Sequence, residues 1–141
     1  MTELNFKEFV QTYVDRAKVA QKEFETWSQE RVDEAVRVIG KAVYDNAEEL
    51  SELAVNETGM GKYEDKIQKN TGKPKVVWQK LKNVKSRNII KYIEEENMVE
   101  IAKPVGVVAA VTPATNPTMT PAQNAMIALK GGNAIIVSPH P

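Results

Sequence analysis

From Pro104 to the last residue, the only formally charged side chain is Lys130. The 141 residues carry 19 Lys+Arg and 19 Asp+Glu, so every acidic residue and every basic one except Lys130 lies before Pro104. A nearly charge-free stretch on an otherwise highly charged chain is a segment built for burial. Val105 to Val111 is a continuous apolar run, too short to span a membrane. Such a run predicts a strand covered on both faces. Ala134 to Val137 is a second run of this kind. Between them Met119, Ala122, Met126 and Leu129 recur at helical spacing, and Gly131-Gly132-Asn133 supplies a stop. Strand, helix and strand with short joints predict a βαβ unit with parallel strands and a right-handed crossover.

That arrangement places a site. Both strands end at one edge of the sheet, at Thr112 to Asn116 and at Ser138 to Pro141. Ligands of open α/β sheets bind outside the carboxyl ends of strands. Two readings of these loops stand side by side. In one, Thr115, Asn116, Ser138 and His140 are ligand contacts. In the other, the loops are turn chemistry, with Asn116 capping the helix and Pro117 at its first position.

The segments KPVGVVAAVTPATNPT (Lys103 to Thr118) and LKGGNAIIVSPHP (Leu129 to Pro141) resemble the aldehyde dehydrogenase superfamily, specifically its CoA-acylating branch. So does ETGMGKYEDKIQKN (Glu57 to Asn70). The Asn-Pro-Thr and Ser-Pro-His-Pro signatures point to the acylating branch. The resemblance implies an α/β fold: N-terminal helices, a β-hairpin, then the first βαβ unit of an incomplete Rossmann-like cofactor domain. The implied division is 1–87 helical, 88–103 hairpin with oligomerisation-type strands, and 104–141 the start of the NAD(P)-binding domain.

The earlier part of the chain is consistent with that order. Phe6, Phe9, Val10, Tyr13, Ala17, Ala20 and Phe24 form one helical stripe. Ser28 caps a second helix with Val32, Ala35, Val36, Ile39 and Val43 on its apolar face. Asn46 with Glu49 forms a capping box for a third, whose buried face is Leu50, Leu53 and Ala54. Gly59-Met60-Gly61 stops it; this Gly-x-Gly follows a helix and is no phosphate loop. A short fourth helix covers Lys62 to Asn70, Thr71-Gly72-Lys73-Pro74 breaks it, and a fifth runs from Lys75 to Val84. Ten Lys/Arg fall between Lys62 and Lys91. They read first as a solvated helix face, and in the alternative as a phosphate-attracting surface. Asn88 to Glu94 and Met98 to Ala102 form a hairpin, with Ile89 and Ile93 on one face and Ile90 and Tyr92 on the other.

Zero net charge argues against a general attraction to nucleic acid or membrane. With no Cys and one His, neither a disulfide framework nor a zinc site is expected, and no metal is assigned. Charge beginning at Glu3 argues against a secretory leader. The expected address is the cytoplasm, the interior of a bacterial microcompartment included.

The resemblance also implies chemistry. A Cys thiolate attacks an aldehyde, a hydride passes to a nicotinamide, and the acyl group is transferred to CoA. Asn116 matches the family's oxyanion-stabilising amide. A gapless match to the non-acylating Pro-Trp-Asn motif instead puts Thr115 at that position, with Ala114 replacing the Trp. Thr112, Pro113, Ala114, Ser138, Pro139 and His140 match the loops that receive the dinucleotide. Non-acylating relatives hold the adenosine ribose with a Lys and a Glu, where Ser138 and Pro141 stand here. NAD is expected, with CoA as co-substrate, and NADP is left open because the lost carboxylate is a group that would repel a 2′-phosphate. His140 is implied to meet the adenine or CoA, or else simply satisfies local backbone. A small aldehyde and a homo-oligomeric assembly complete the expectation. The nucleophilic Cys is absent from these residues, so the chain reads as the N-terminal part of a longer enzyme. A non-acylating dehydrogenase and a non-catalytic assembly domain are the alternatives.

Overall fold

The computed structural model describes residues 5–141. Helix α1 runs Phe6–Phe24, α2 Gln29–Asp45, α3 Ala47–Thr58 and α4 Tyr63–Leu81. Strands β1 (Asn88–Ile93) and β2 (Met98–Ala102) follow, then β3 (Val107–Val111), α5 (Met119–Lys130) and β4 (Ala134–Ser138). β1 and β2 form an antiparallel hairpin; β3 and β4 form a separate parallel pair with α5 as their crossover. The core lies among the helices. Phe24, Val32, Val36 and Met126 are buried together, with Trp27, Ile39, Trp78, Leu81 and Leu129 around them.

Local chemistry explains most boundaries. Ser28 Oγ accepts the Arg31 N–H at 3.3 Å and opens α2. Gly59 ends α3 at φ 62°, a conformation Gly adopts without a Cβ penalty. Gly132, at φ 79°, turns α5 into β4. A Cβ there would sit 2.2 Å from an Arg87 Nη, because that guanidinium lies across the turn. The same guanidinium donates to the carbonyls of Phe24, Glu25 and Trp27, a cation satisfying the orphan carbonyls at the end of α1. Gly132→Ala therefore meets both strain and a clash. A loss of about 1–3 kcal/mol in urea unfolding is expected, and an unchanged midpoint would refute the account.

Several expectations need correction. Helices 62–70 and 75–84 are one helix, α4, with Pro74 inside it. Pro74 lacks the N–H that would bond to Asn70 and normally breaks a helix at a cost of about 3 kcal/mol. Here it is buried against α2 opposite Gly40, where packing offsets that cost. Asn46 does not cap α3, because its Nδ2 donates back to Ala42 O at 2.8 Å. In α3 the buried residues are Ala47, Ser51 and Ala54, while Leu53 is 54% exposed. The α1 stripe buries only its Phe24 end, and Phe6 is 76% exposed. β3 is not covered on both faces: Ala110 is buried but Val111 is 81% exposed. A bulge between Ile89 and Lys91 breaks the hairpin's alternation, so Ile90 and Ile93 are the more sheltered pair. The first strand begins at Val107, not Val105, since the N–H groups of Val105 and Gly106 go to Asn133 Oδ1 at 2.7 and 3.0 Å.

Candidate functional site

The parallel register brings Val111 opposite Ser138, so both strands deliver their next residues to one edge. Thr112 N–H donates to Ser138 O at 3.0 Å, joining the two loops at their bases. Thr112 is buried by this contact; Pro113, Ser138, Pro139 and His140 are exposed beyond it, and Ala114 is half-buried. His140 Nδ1 lies 3.0 Å from Pro141 O, a local backbone contact. All these predicted dinucleotide-side residues therefore share one sheet edge.

The turn carrying Thr115 and Asn116 is built differently from the expected cap. α5 begins at Met119, two residues beyond Pro117. Asn116 contributes its backbone carbonyl to the helix ladder, accepting from Thr120 N at 3.4 Å. Its side chain caps nothing: Oδ1 is buried and has no hydrogen-bond partner. Thr118, at the N-cap position, makes no cap bond either, because its hydroxyl donates to Asn70 Oδ1 at 2.9 Å. The cap reading of Asn116 thus fails, and the amide stands uncommitted at the strand end. A buried polar atom without a partner is rare enough to call for an explanation.

Two residues that sequence reasoning passed over hold this turn. Lys66 belongs to the run read as a solvated face, yet it is 4% exposed. Its Nζ donates to Thr115 O at 2.9 Å. Burial pulls the ammonium below the ordinary lysine range, and the nearby charge of Lys69 pulls in the same direction. Asn70, one turn further along α4, is buried and bridges Thr118 to α3 by donating to Ser51 Oγ at 3.0 Å. Lys66, Asn70 and Pro74 are spaced four apart and are the buried residues of α4. That spacing was visible in the sequence, but it is a polar stripe, invisible to a search for apolar periodicity.

The sequence profile of the Aldehyde dehydrogenase family matches residues 3–141. The chain belongs to the aldehyde dehydrogenase family. Among relatives of this aldehyde dehydrogenase chain, the succinate-semialdehyde dehydrogenase (acetylating) of Clostridium kluyveri is 52% identical over 132 residues, covering 94% of this chain and 29% of that protein. An acetylating aldehyde dehydrogenase from Geobacillus thermoglucosidasius superposes with a TM-score of 0.93 at 40% identity, over 100% of this chain and 32% of that one. A propionaldehyde dehydrogenase from Rhodopseudomonas palustris, solved with bound propionyl-CoA, gives 0.78 at 31% identity, over 93% of this chain and 29% of that one. The α/β order of helices, hairpin and βαβ unit is thus the N-terminal part of acylating aldehyde dehydrogenase structures. The chain spans less than a third of the C. kluyveri relative's length. Among the described residues no helix is long and apolar enough to cross a membrane.

Proposed function

We propose that these residues form the N-terminal part of a CoA-acylating aldehyde dehydrogenase, which oxidises an aldehyde and releases it as an acyl-CoA. The observation that carries this is the uncommitted Asn116 amide, set at the strand end in a chain whose relatives are acetylating enzymes. The nucleophilic thiol is supplied from outside these residues, which contain no Cys.

The two loops fit a nicotinamide dinucleotide and CoA. They converge at one sheet edge, and neither 112–118 nor 138–141 contains a carboxylate to repel a phosphate. The exposed Ser138, Pro139 and His140 would take the adenosine end, and Thr112 to Ala114 would flank the other. A bound NAD, or NADP, supplies the hydride acceptor. With Ser138 and Pro141 at the ribose positions, neither nucleotide is rejected by charge. Asn116 donates to the oxygen that becomes negative on thiolate attack, with Thr115 as the neighbouring alternative. In this reading the described residues up to 87 are a helical segment, 88–103 an arm suited to homo-oligomerisation, and 104–141 the start of the cofactor domain. We place the protein in the cytoplasm or a microcompartment within it.

The test is to express the reading frame carrying these residues at its native length. Aldehyde-dependent reduction of NAD or NADP that requires CoA is expected, with acyl-CoA as product. Residues 1–141 alone are expected to give none, because no thiolate is present. A folded native-length protein that reduces neither nucleotide would remove the proposal, as would turnover by the 141 residues alone.

A further inference from the structure

A buried lysine needs a reason. Among the described residues no carboxylate pairs with Lys66; the ion pairs there are Glu34–Arg37, Lys41–Asp45 and Asp33–Lys130. Burying an ammonium without a counter-charge is unfavourable, and a shorter neutral donor or an apolar side chain would be the cheaper filler. What the position obtains is the 2.9 Å bond to Thr115 O.

That carbonyl belongs to the peptide unit between Thr115 and Asn116. The unit is trans, so its N–H points away from Lys66 while its oxygen points toward it. A cation on the oxygen fixes the peptide plane and, by polarising it, strengthens donation from the N–H. The other side of Asn116 is held as well, by the Thr118 hydroxyl on Asn70 Oδ1. Asn70 is held in turn by Ser51, whose hydroxyl donates to Ala47 O at 2.6 Å. The Asn116 side-chain oxygen has no hydrogen bond to orient it. The place from which it projects is therefore set by the backbone on either side.

We propose that Lys66 is a positioning residue for the oxyanion site: with Asn70 it clamps the turn from Thr115 to Thr118 and so aims Asn116 at the reacting carbonyl. This rests on the function proposed above. Lys66 touches no reacting atom in this scheme and acts through the Thr115–Asn116 peptide.

The experiment uses the native-length protein. Lys66→Met keeps the length of the stem and removes donor and charge. It is expected to lower kcat by about 10²-fold, the scale of a small misplacement of a catalytic group. KM for aldehyde and nucleotide stays near the original value, because binding is not what the clamp supports. Lys66→Gln loses less than Lys66→Met. Adding Asn116→Ala to Lys66→Met costs little beyond Asn116→Ala alone, since both act through one amide. Hydrogen exchange at the Thr120 amide, which donates to Asn116 O at 3.4 Å, accelerates in Lys66→Met while the α2 amides keep their protection, which a general loss of stability would not produce. If Lys66→Met does not fold, Thr118→Val decides, because it removes the other half of the clamp at nearly constant shape. The proposal is overturned by a folded variant with unchanged kcat, by a loss confined to KM, or by losses that multiply in the double variant. If the unmodified protein has no CoA-dependent turnover, the functional reading fails and takes this one with it. If the unmodified protein turns over and the variants match it, only the clamp is wrong.

Discussion

Asn116→Ala in the native-length protein is expected to lower kcat by on the order of 10²–10³ and to leave the KM for aldehyde nearly unchanged. The oxyanion exists only after the thiolate has attacked. A donor aimed at it therefore contributes in the transition state and hardly at all in the bound ground state. Asn116 is free for that task because its side chain neither caps α5 nor bonds elsewhere. Ser138→Ala is expected to behave differently. Ser138 ends the neighbouring strand β4, at the implied adenosine end, so its loss should raise the KM for nucleotide or CoA with a smaller effect on kcat. Thr115→Ala resolves the alignment ambiguity. Thr115 is exposed, and its known bond is through the backbone oxygen to Lys66, which the substitution preserves. If Thr115→Ala loses turnover while Asn116→Ala keeps it, the gapless alignment is right and the amide assignment is wrong. If both variants fold and both keep kcat, the turn serves no catalytic purpose.

Asp33→Ala is expected to destabilise the protein by about 3–5 kcal/mol, read from the urea midpoint. Lys130, the only charge after Pro104, is buried on α5 with its side chain 4% exposed and forms an ion pair with Asp33 on α2. Gln29 Nε2 also donates to Asp33 at 2.9 Å, and Gln29 Oε1 accepts from Ser86 N at 2.8 Å. Removing Asp33 leaves an ammonium in the interior with no counter-charge and frees Gln29 from one partner. The double variant Asp33→Leu/Lys130→Met should recover most of the loss, because an apolar pair of similar size removes the desolvation penalty along with the attraction. A loss below about 1 kcal/mol for Asp33→Ala would show that the site is wetter than its burial implies.

The parts of the fold that were legible are those where one physical signal dominates. The valine run, the Met119 to Leu129 stripe and the Gly131-Gly132 stop predicted β3, α5 and β4, and with them the edge where Thr112 and Ser138 meet. Ser28 predicted its own cap. The failures occur where tertiary context reverses a local preference. Pro74 favours a break, but its neighbours on α2 are shaped to receive it beside Gly40. Leu53 favours burial more than Ser51 does, yet Ser51 is taken inside by the hydrogen bond from Asn70. Lys66 is the least legible of the buried positions. A lysine among ten basic residues carries no mark distinguishing the one that turns inward; that is decided by a carbonyl 49 positions away in sequence.

The foot of the hairpin is tied to the end of α1 through Arg87, to α2 through Ser86 and Gln29, and to the turn between α5 and β4. Arg87, at the foot of β1, lies across Gly132, and Pro104, just past the foot of β2, comes within 3.5 Å of the same glycine's missing Cβ. Asn133, next in sequence, grips Val105 and Gly106 with its oxygen and Ala128 with its amide nitrogen. The arm is thus a lever whose fulcrum is the turn between α5 and β4. Any displacement of the arm would therefore be felt first at that turn, from which β4 runs to Ser138, and at the end of α1 through Arg87.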